Sequence, residues 1–159
     1  MSTQTQHYIG IANGVVLCVD TVDHDTITGR YYHGYQQDAS RFYGISEILF
    51  QLEELFDKLR FPFAGTNNRS FLYRNTSYAF EERNRVMSDE ELLEKHGELG
   101  TFIIRVQHRQ NSSWQGRITW VEEDKTVNFR SVFEMMKLID GAMEQYKTEE
   151  DKKGPSWDD

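Results

Sequence analysis

Arg105, Gln107, Arg109, Asn111 and Arg117 crowd one short stretch of this chain, and their types suit holding an anion rather than making or breaking bonds. Arginine forks pair with phosphate or carboxylate, and neighbouring amides can complete the hydrogen bonding around such a group. The residues for bond-making chemistry are present but badly spaced. No two of His7, His24, His33, His96 and His108 have the helical spacing and carboxylate context of a zinc enzyme. Asp23-His24-Asp25 has the atoms for a metal or an acid/base pair, yet adjacent residues at a hairpin tip diverge, and Asp is favoured in turns for conformational reasons. The chain has no glycine-rich phosphate loop, no nucleophile elbow, and one cysteine, Cys18, inside an apolar run. The leading reading is therefore non-enzymatic, with no catalytic residue, no metal and no cofactor, and an enzyme centred on His24 or His108 is the minority alternative.

Those polar residues need strands to present them. Phe102, Ile104 and Val106 alternate with Ile103, Arg105 and Gln107, and a polar turn at Gln110-Asn111-Ser112 returns the chain into Trp114, Gly116, Ile118 and Trp120. Upstream, Val15, Leu17 and Val19 mark a strand, and a second follows at about Ile27 to Tyr35 with Arg30 and Tyr32 on one face. If the apolar positions face helices, then Arg30, Tyr32, Arg105, Gln107, Arg109 and Arg117 line the opposite face as a basic, partly aromatic platform of the kind that stacks bases and holds phosphates. The competing reading is a solvated face whose long side chains shield the sheet. A further candidate is the segment from Phe61 to Val86, where arginines including Arg69 and Arg74 interleave with aromatic residues, a composition enriched at protein interfaces.

The helices are legible from their stripes. Ile45, Ile48, Leu49, Leu52, Leu55, Phe56 and Leu59 form one, running to about Arg60 before Pro62; Val132, Met135, Met136, Ile139, Ala142, Met143 and Tyr146 form another. Ser131 with Glu134, and Ser88 with Glu91, are capping boxes, the latter opening a short helix that ends at Gly97. The two stripes, together with Gly29-Arg30 and Gly116-Arg117, recur at one spacing of 87 residues. The expected fold is α+β: two tandem strand-strand-strand-helix repeats forming one antiparallel sheet with helices packed on one face. The expected organisation is a first repeat over 1–60, an Arg/aromatic connector with a short helix over 61–100, a second repeat over 101–147, and an acidic, disordered tail over 148–159.

Charge narrows the partners. The net charge is −8, which argues against generic duplex DNA binding, because that requires cations to neutralise phosphates and release counterions. An acidic surface can confer solubility, repel nucleic acid, or occupy the basic channel of a nucleic-acid enzyme. No long apolar run and no leader-like N-terminus is present, so the chain reads as soluble and cytoplasmic, without a membrane partner, and as a monomer or homodimer.

Three family patterns touch these residues. Arg105-x-x-x-Arg109 with Asn111-x-Ser113-x-x-Gly116 resembles the two motifs of PilZ domains, but there the arginine motif lies well upstream, whereas here the two are almost fused, so the match is set aside. The helix, three strands, helix order of the second half resembles double-stranded-RNA-binding domains in topology, without their lysine cluster. Arg105-x-Gln107-x-Arg109-Gln110-Asn111, with Ser113-Trp114-Gln115-Gly116, Trp120 and Phe129-Arg130-Ser131, resembles small uncharacterised proteins carried on phage and other mobile elements of anaerobic Gram-positive bacteria. Small acidic proteins of such elements include anti-CRISPR proteins, which inhibit Cas9 by binding it. The leading expectation, drawn from that context and not from an activity of the resembled proteins, is a non-catalytic inhibitor acting by protein–protein contact on Cas9 or its complex with guide RNA. The alternative is a nucleic-acid-binding accessory protein using the sheet-face arginines.

Overall fold

Alternation of apolar and polar residues builds the sheet. In the computed structural model, which describes residues 14–59, 85–110 and 113–147, strand β1 (Val15–Asp23) pairs antiparallel with β2 (Thr26–His33), and β2 with β3 (Ser40–Tyr43). Helix α1 (Ile45–Leu59) follows Gly44, whose φ of +86° suits glycine and whose N–H donates to the Ile27 carbonyl. After the short helix α2 (Asp89–Leu93) come β4 (Gly100–Gln110), β5 (Ser113–Trp120), β6 (Lys125–Phe129) and α3 (Val132–Ala142). The sheet has six strands in the order β3-β2-β1-β4-β5-β6, each neighbouring pair antiparallel, so the fold is α+β. The connector from 60 to 84, the turn at 111–112 and the tail lie outside the described residues.

Several elements keep the spacing of 87 residues. β5 starts and ends that far after β2, α3 starts that far after α1, and Val16 pairs with Ile103 where β1 meets β4.

Both long helices pack on the same face of the sheet. Leu52, Phe56, Met135 and Ile139 are buried there against Val15, Leu17, Phe102, Ile104 and Ile118. Helices on one face is only part of the arrangement, however. Met87 and Leu92, just before and within α2, cover Val16, Cys18 and Ile103 on the other face, because the centre of β1 and β4 is apolar on both sides and cannot be left to water. Ser88 and Ser131 cap α2 and α3 as their boxes predict, accepting from Glu91 N–H and Glu134 N–H. α3 stops at Ala142, short of the expected Tyr146. The chain tightens into a 3-10 turn at Glu144–Tyr146, which leaves Tyr146 exposed although its position continues the apolar stripe.

Cys18 is fully buried between the sheet and α2, and burial pushes its thiol up to about 12. We expect alkylating reagents at pH 8 to label it only when the chain unfolds. Because the folded value lies above the unfolded one, its contribution to stability is fully present below about pH 9 and is lost as pH rises toward 12, by about 1.4 kcal/mol per pH unit. Urea midpoints at successive alkaline pH values should fall more steeply in the native chain than in Cys18→Ala.

Candidate functional site

β4, β5 and β6 contain no Asp or Glu. On the face away from the long helices, Arg105 stands directly opposite Arg117, and Arg117 directly opposite Asn128. Like charges facing across a ladder oppose folding, and of the two cations on this shelf Arg117 is exposed to solvent. The Arg105 guanidinium donates to Thr119 Oγ1 at 3.1 Å, which orients it along the sheet. Gln107, His108, Gln115, Arg117 and Asn128 are exposed around it.

Arg109 does not join them. The β4–β5 register slips between Val106 and His108, so that Gln107 is an extra residue on β4 and every side chain beyond it changes face. Arg109 is therefore turned toward α1, 4% exposed, with a guanidinium nitrogen 2.8 Å from Asp57 Oδ1 and 3.2 Å from Glu53 Oε1. Glu53 also accepts from the Trp114 indole N–H at 2.8 Å, and the guanidinium sits 5.8 Å from the centre of the Phe56 ring. This is a structural ion cluster at the helix–sheet junction. Placing Arg109 on the open platform is thus corrected, and the bulge is the reason.

Arg30 and Tyr32 do lie on the face predicted for them, but not on an open platform. Arg30 donates to the Tyr32 hydroxyl at 2.7 Å and to the His96 carbonyl at 2.9 Å, and its Nε is 3.2 Å from Asp20 Oδ2. Burial opposes the Arg30 charge, yet the Tyr32 hydrogen bond and the Asp20 carboxylate outweigh it and its pKa is raised. Lys95 covers the Tyr32 ring at 5.2 Å. The pair ties the α2–β4 link to the sheet. Arg69, Arg74 and Asn111 lie outside the described residues.

The carboxylates gather elsewhere. The β1–β2 turn, the α2–β4 link and the β5–β6 turn all lie at one end of the sheet, because Val19 pairs with Gly100 and Phe102 with Trp120. These three segments, with the adjoining end of β1, include Asp20, Asp23, Asp25, Glu98, Glu122, Glu123 and Asp124. Asp20 accepts from Glu98 N–H and Arg30, Glu122 accepts from Thr101 N–H, and Asp23 Oδ1 lies 3.8 Å from His24 Nε2. Asp23, Asp25 and Glu123 are exposed. His24, with φ of +55°, and Asp124, with φ of +50°, occupy left-handed positions at the turn tips, which Asp and His tolerate better than branched residues. Sequence reasoning placed Asp23 and Asp25 at a hairpin tip but missed that this turn shares an end with the other two segments, since that depends on strand order. Among the described residues no group of three or more His, Cys, Asp or Glu side chains is disposed to hold a metal ion, and no helix is long and apolar enough to cross a membrane. Compared with protein-family models, with curated proteins and with solved structures, the chain matches none.

Proposed function

We propose that this protein is a non-catalytic binding protein that presents its acidic end to a basic protein surface, as an inhibitor of a host defence nuclease of the Cas9 type. The observation that supports this reading is the convergence of carboxylates from three separate segments on one end of the sheet. Fixed turns hold the charges against a rigid frame, so docking them against lysines and arginines costs little ordering entropy. The channel that holds nucleic acid in a guide-dependent nuclease is such a basic surface, and an acidic protein seated in it would exclude the substrate strand. The test is capture of purified Cas9 with its guide RNA on the immobilised protein, alongside a DNA cleavage assay. Reversing the exposed acids in Asp23→Lys, Asp25→Lys and Glu123→Lys together should weaken capture and inhibition by at least about tenfold, with greater loss at low salt. Failure of the unmodified chain to capture or inhibit the nuclease would overturn the proposal.

A second reading rests on a different observation, the exposed Arg117 beside Asn128 on three strands that contain no Asp or Glu. It is a phosphate-backbone contact in a nucleic-acid accessory protein. The aromatic residues of β4 to β6 that are described, Phe102, Trp114, Trp120 and Phe129, belong to or pack against the core on the helix face, so binding on the shelf would be insensitive to base sequence. Single-stranded oligonucleotides should bind at low salt with an affinity that falls steeply as salt rises, and Arg117→Gln should reduce that slope by about one unit. No binding at low salt would remove this reading.

A further inference from the structure

The two edges of the sheet are built differently. At one, β3 has four residues, and Gly44 N–H just beyond it reaches the Ile27 carbonyl at 2.8 Å. Alternation from that bond turns the Arg41 backbone away from β2, and Gln51 Nε2 of α1 points to its carbonyl at 3.5 Å. α1 therefore overhangs this edge.

At the other edge, β6 is open. Val121 N–H, at the end of β5, donates to the Thr101 carbonyl of β4 at 2.9 Å. Alternation along β5 then directs the backbone of Thr119 and Arg117 to β4, and that of Trp120, Ile118 and Gly116 to β6. The residues of β6 divide in step. Lys125, Val127 and Phe129 turn their backbone groups to β5, whereas Thr126 and Asn128, opposite Thr119 and Arg117, turn N–H and C=O to the outside. Among the described residues none meets those four groups.

Edge strands are commonly blunted by proline, a bulge, a central charge or a cover. β6 reads Lys-Thr-Val-Asn-Phe, keeps one register with β5 throughout, and carries its one charge at its first residue. Val127, at its centre, shares the helix face with buried Ile118 yet is itself 44% exposed.

The strand is complementary to itself. Set it antiparallel to a second copy about a two-fold axis through Val127, and Thr126 of each copy faces Asn128 of the other. These pairs exchange N–H and C=O bonds, which satisfies all four outward groups of each copy. Thr126 Oγ1, hydrogen-bonded to Thr119 Oγ1 at 2.8 Å, keeps a lone pair for the facing Asn128 amide. Val127 meets Val127 in the pair type whose side chains approach most closely. Lys125 faces Phe129, so the one charge on the strand meets no like charge. Just past the strand, exposed Arg130 comes opposite Asp124, beside Glu123, in the acidic β5–β6 turn of the second copy.

We propose that β6 is a homodimer interface, through which two copies of this chain join into one continuous antiparallel sheet with six strands from each. The inference rests on β6 and its flanks and does not depend on the function proposed above.

The test is sedimentation equilibrium of the full chain from about 5 to about 500 μM. One short strand pair is a small interface, so association is expected in the range of about 10–100 μM. Val127→Lys, a change on an exposed side chain, sets two cations face to face and should weaken association by at least about tenfold. Oxidative trapping reads the register. Val127→Cys places its sulfurs across the axis, whereas Asn128→Cys places them two residues apart along the ladder, so the first should crosslink at least about ten times faster. Cys18 is buried and does not compete. A single-chain mass at every concentration, association unchanged in Val127→Lys, or equal trapping of the two cysteine variants would overturn the proposal.

Discussion

Gly116→Ala should destabilise the protein by at least about 3 kcal/mol, measured as a fall in the urea midpoint at neutral pH. A Cβ built on Gly116 would lie 2.0 Å from the Arg105 carbonyl oxygen and 2.9 Å from Val106 Cα. Both are backbone atoms at the mouth of the β4 bulge, and no side-chain rotation relieves them. Gly29→Ala should behave alike, since its Cβ would meet the Cys18 carbonyl oxygen at 1.9 Å beside the slip between Val19 and Thr21 in β1. Gly141→Ala is the control with the opposite sign. Nothing lies within 4 Å of that Cβ and the position is helical, so alanine should add up to about 1 kcal/mol. A Gly116→Ala variant within about 1 kcal/mol of the parent would mean that the bulge is not built as described.

Arg109→Ala is expected to cost about 3 kcal/mol, measured in the same way. The guanidinium is buried and bridges Glu53 and Asp57, and its loss leaves two neighbouring carboxylates together beside Phe56. Those carboxylates are about a third exposed, 32% and 37%, so water recovers part of the loss and holds the figure at the low end for a broken buried pair. Arg117→Ala, on the exposed shelf, should change stability by no more than about 0.5 kcal/mol. The two arginines thus separate by measurement: one belongs to the fold, the other is available to a ligand. If Arg109→Ala were neutral for stability and instead abolished oligonucleotide binding, the cluster with α1 would be the wrong account of it.

Much of the architecture can be read from local pattern, because local pattern is what makes these elements. The α1 stripe, the α3 stripe as far as Met143, the two serine caps, and the alternation of β2, β5, β1 to Val19 and β4 to Val106 sit where the sequence places them. A helix or strand declares itself through which of its own positions are apolar, a property needing no knowledge of neighbours. The antiparallel sheet with both long helices on one face is the more economical of the two arrangements the stripes allow, the other being two smaller sheets back to back.

The faces of single side chains are a different matter. Alternation carried past Val106 sends Arg109 outward, and the bulge sends it inward. A signal was present: the apolar positions step by two from Val15 to Val19 and then by three to Val22, and Arg109 stands three after Val106 in the same way. Reading that step of three as an inserted residue would have placed Arg109 beside α1, but only packing could say that Glu53 and Asp57 would be waiting there. Likewise, the cover that α2 lays over Cys18, Arg30 and Tyr32, and the meeting of three acidic turns at one end, come from strand order and from contacts between residues distant in sequence. The chain alone determines its elements and its charge, because these are local sums. Which charges share a surface was decided by the tertiary structure, because proximity in the sheet depends on register and a single extra residue inverts it.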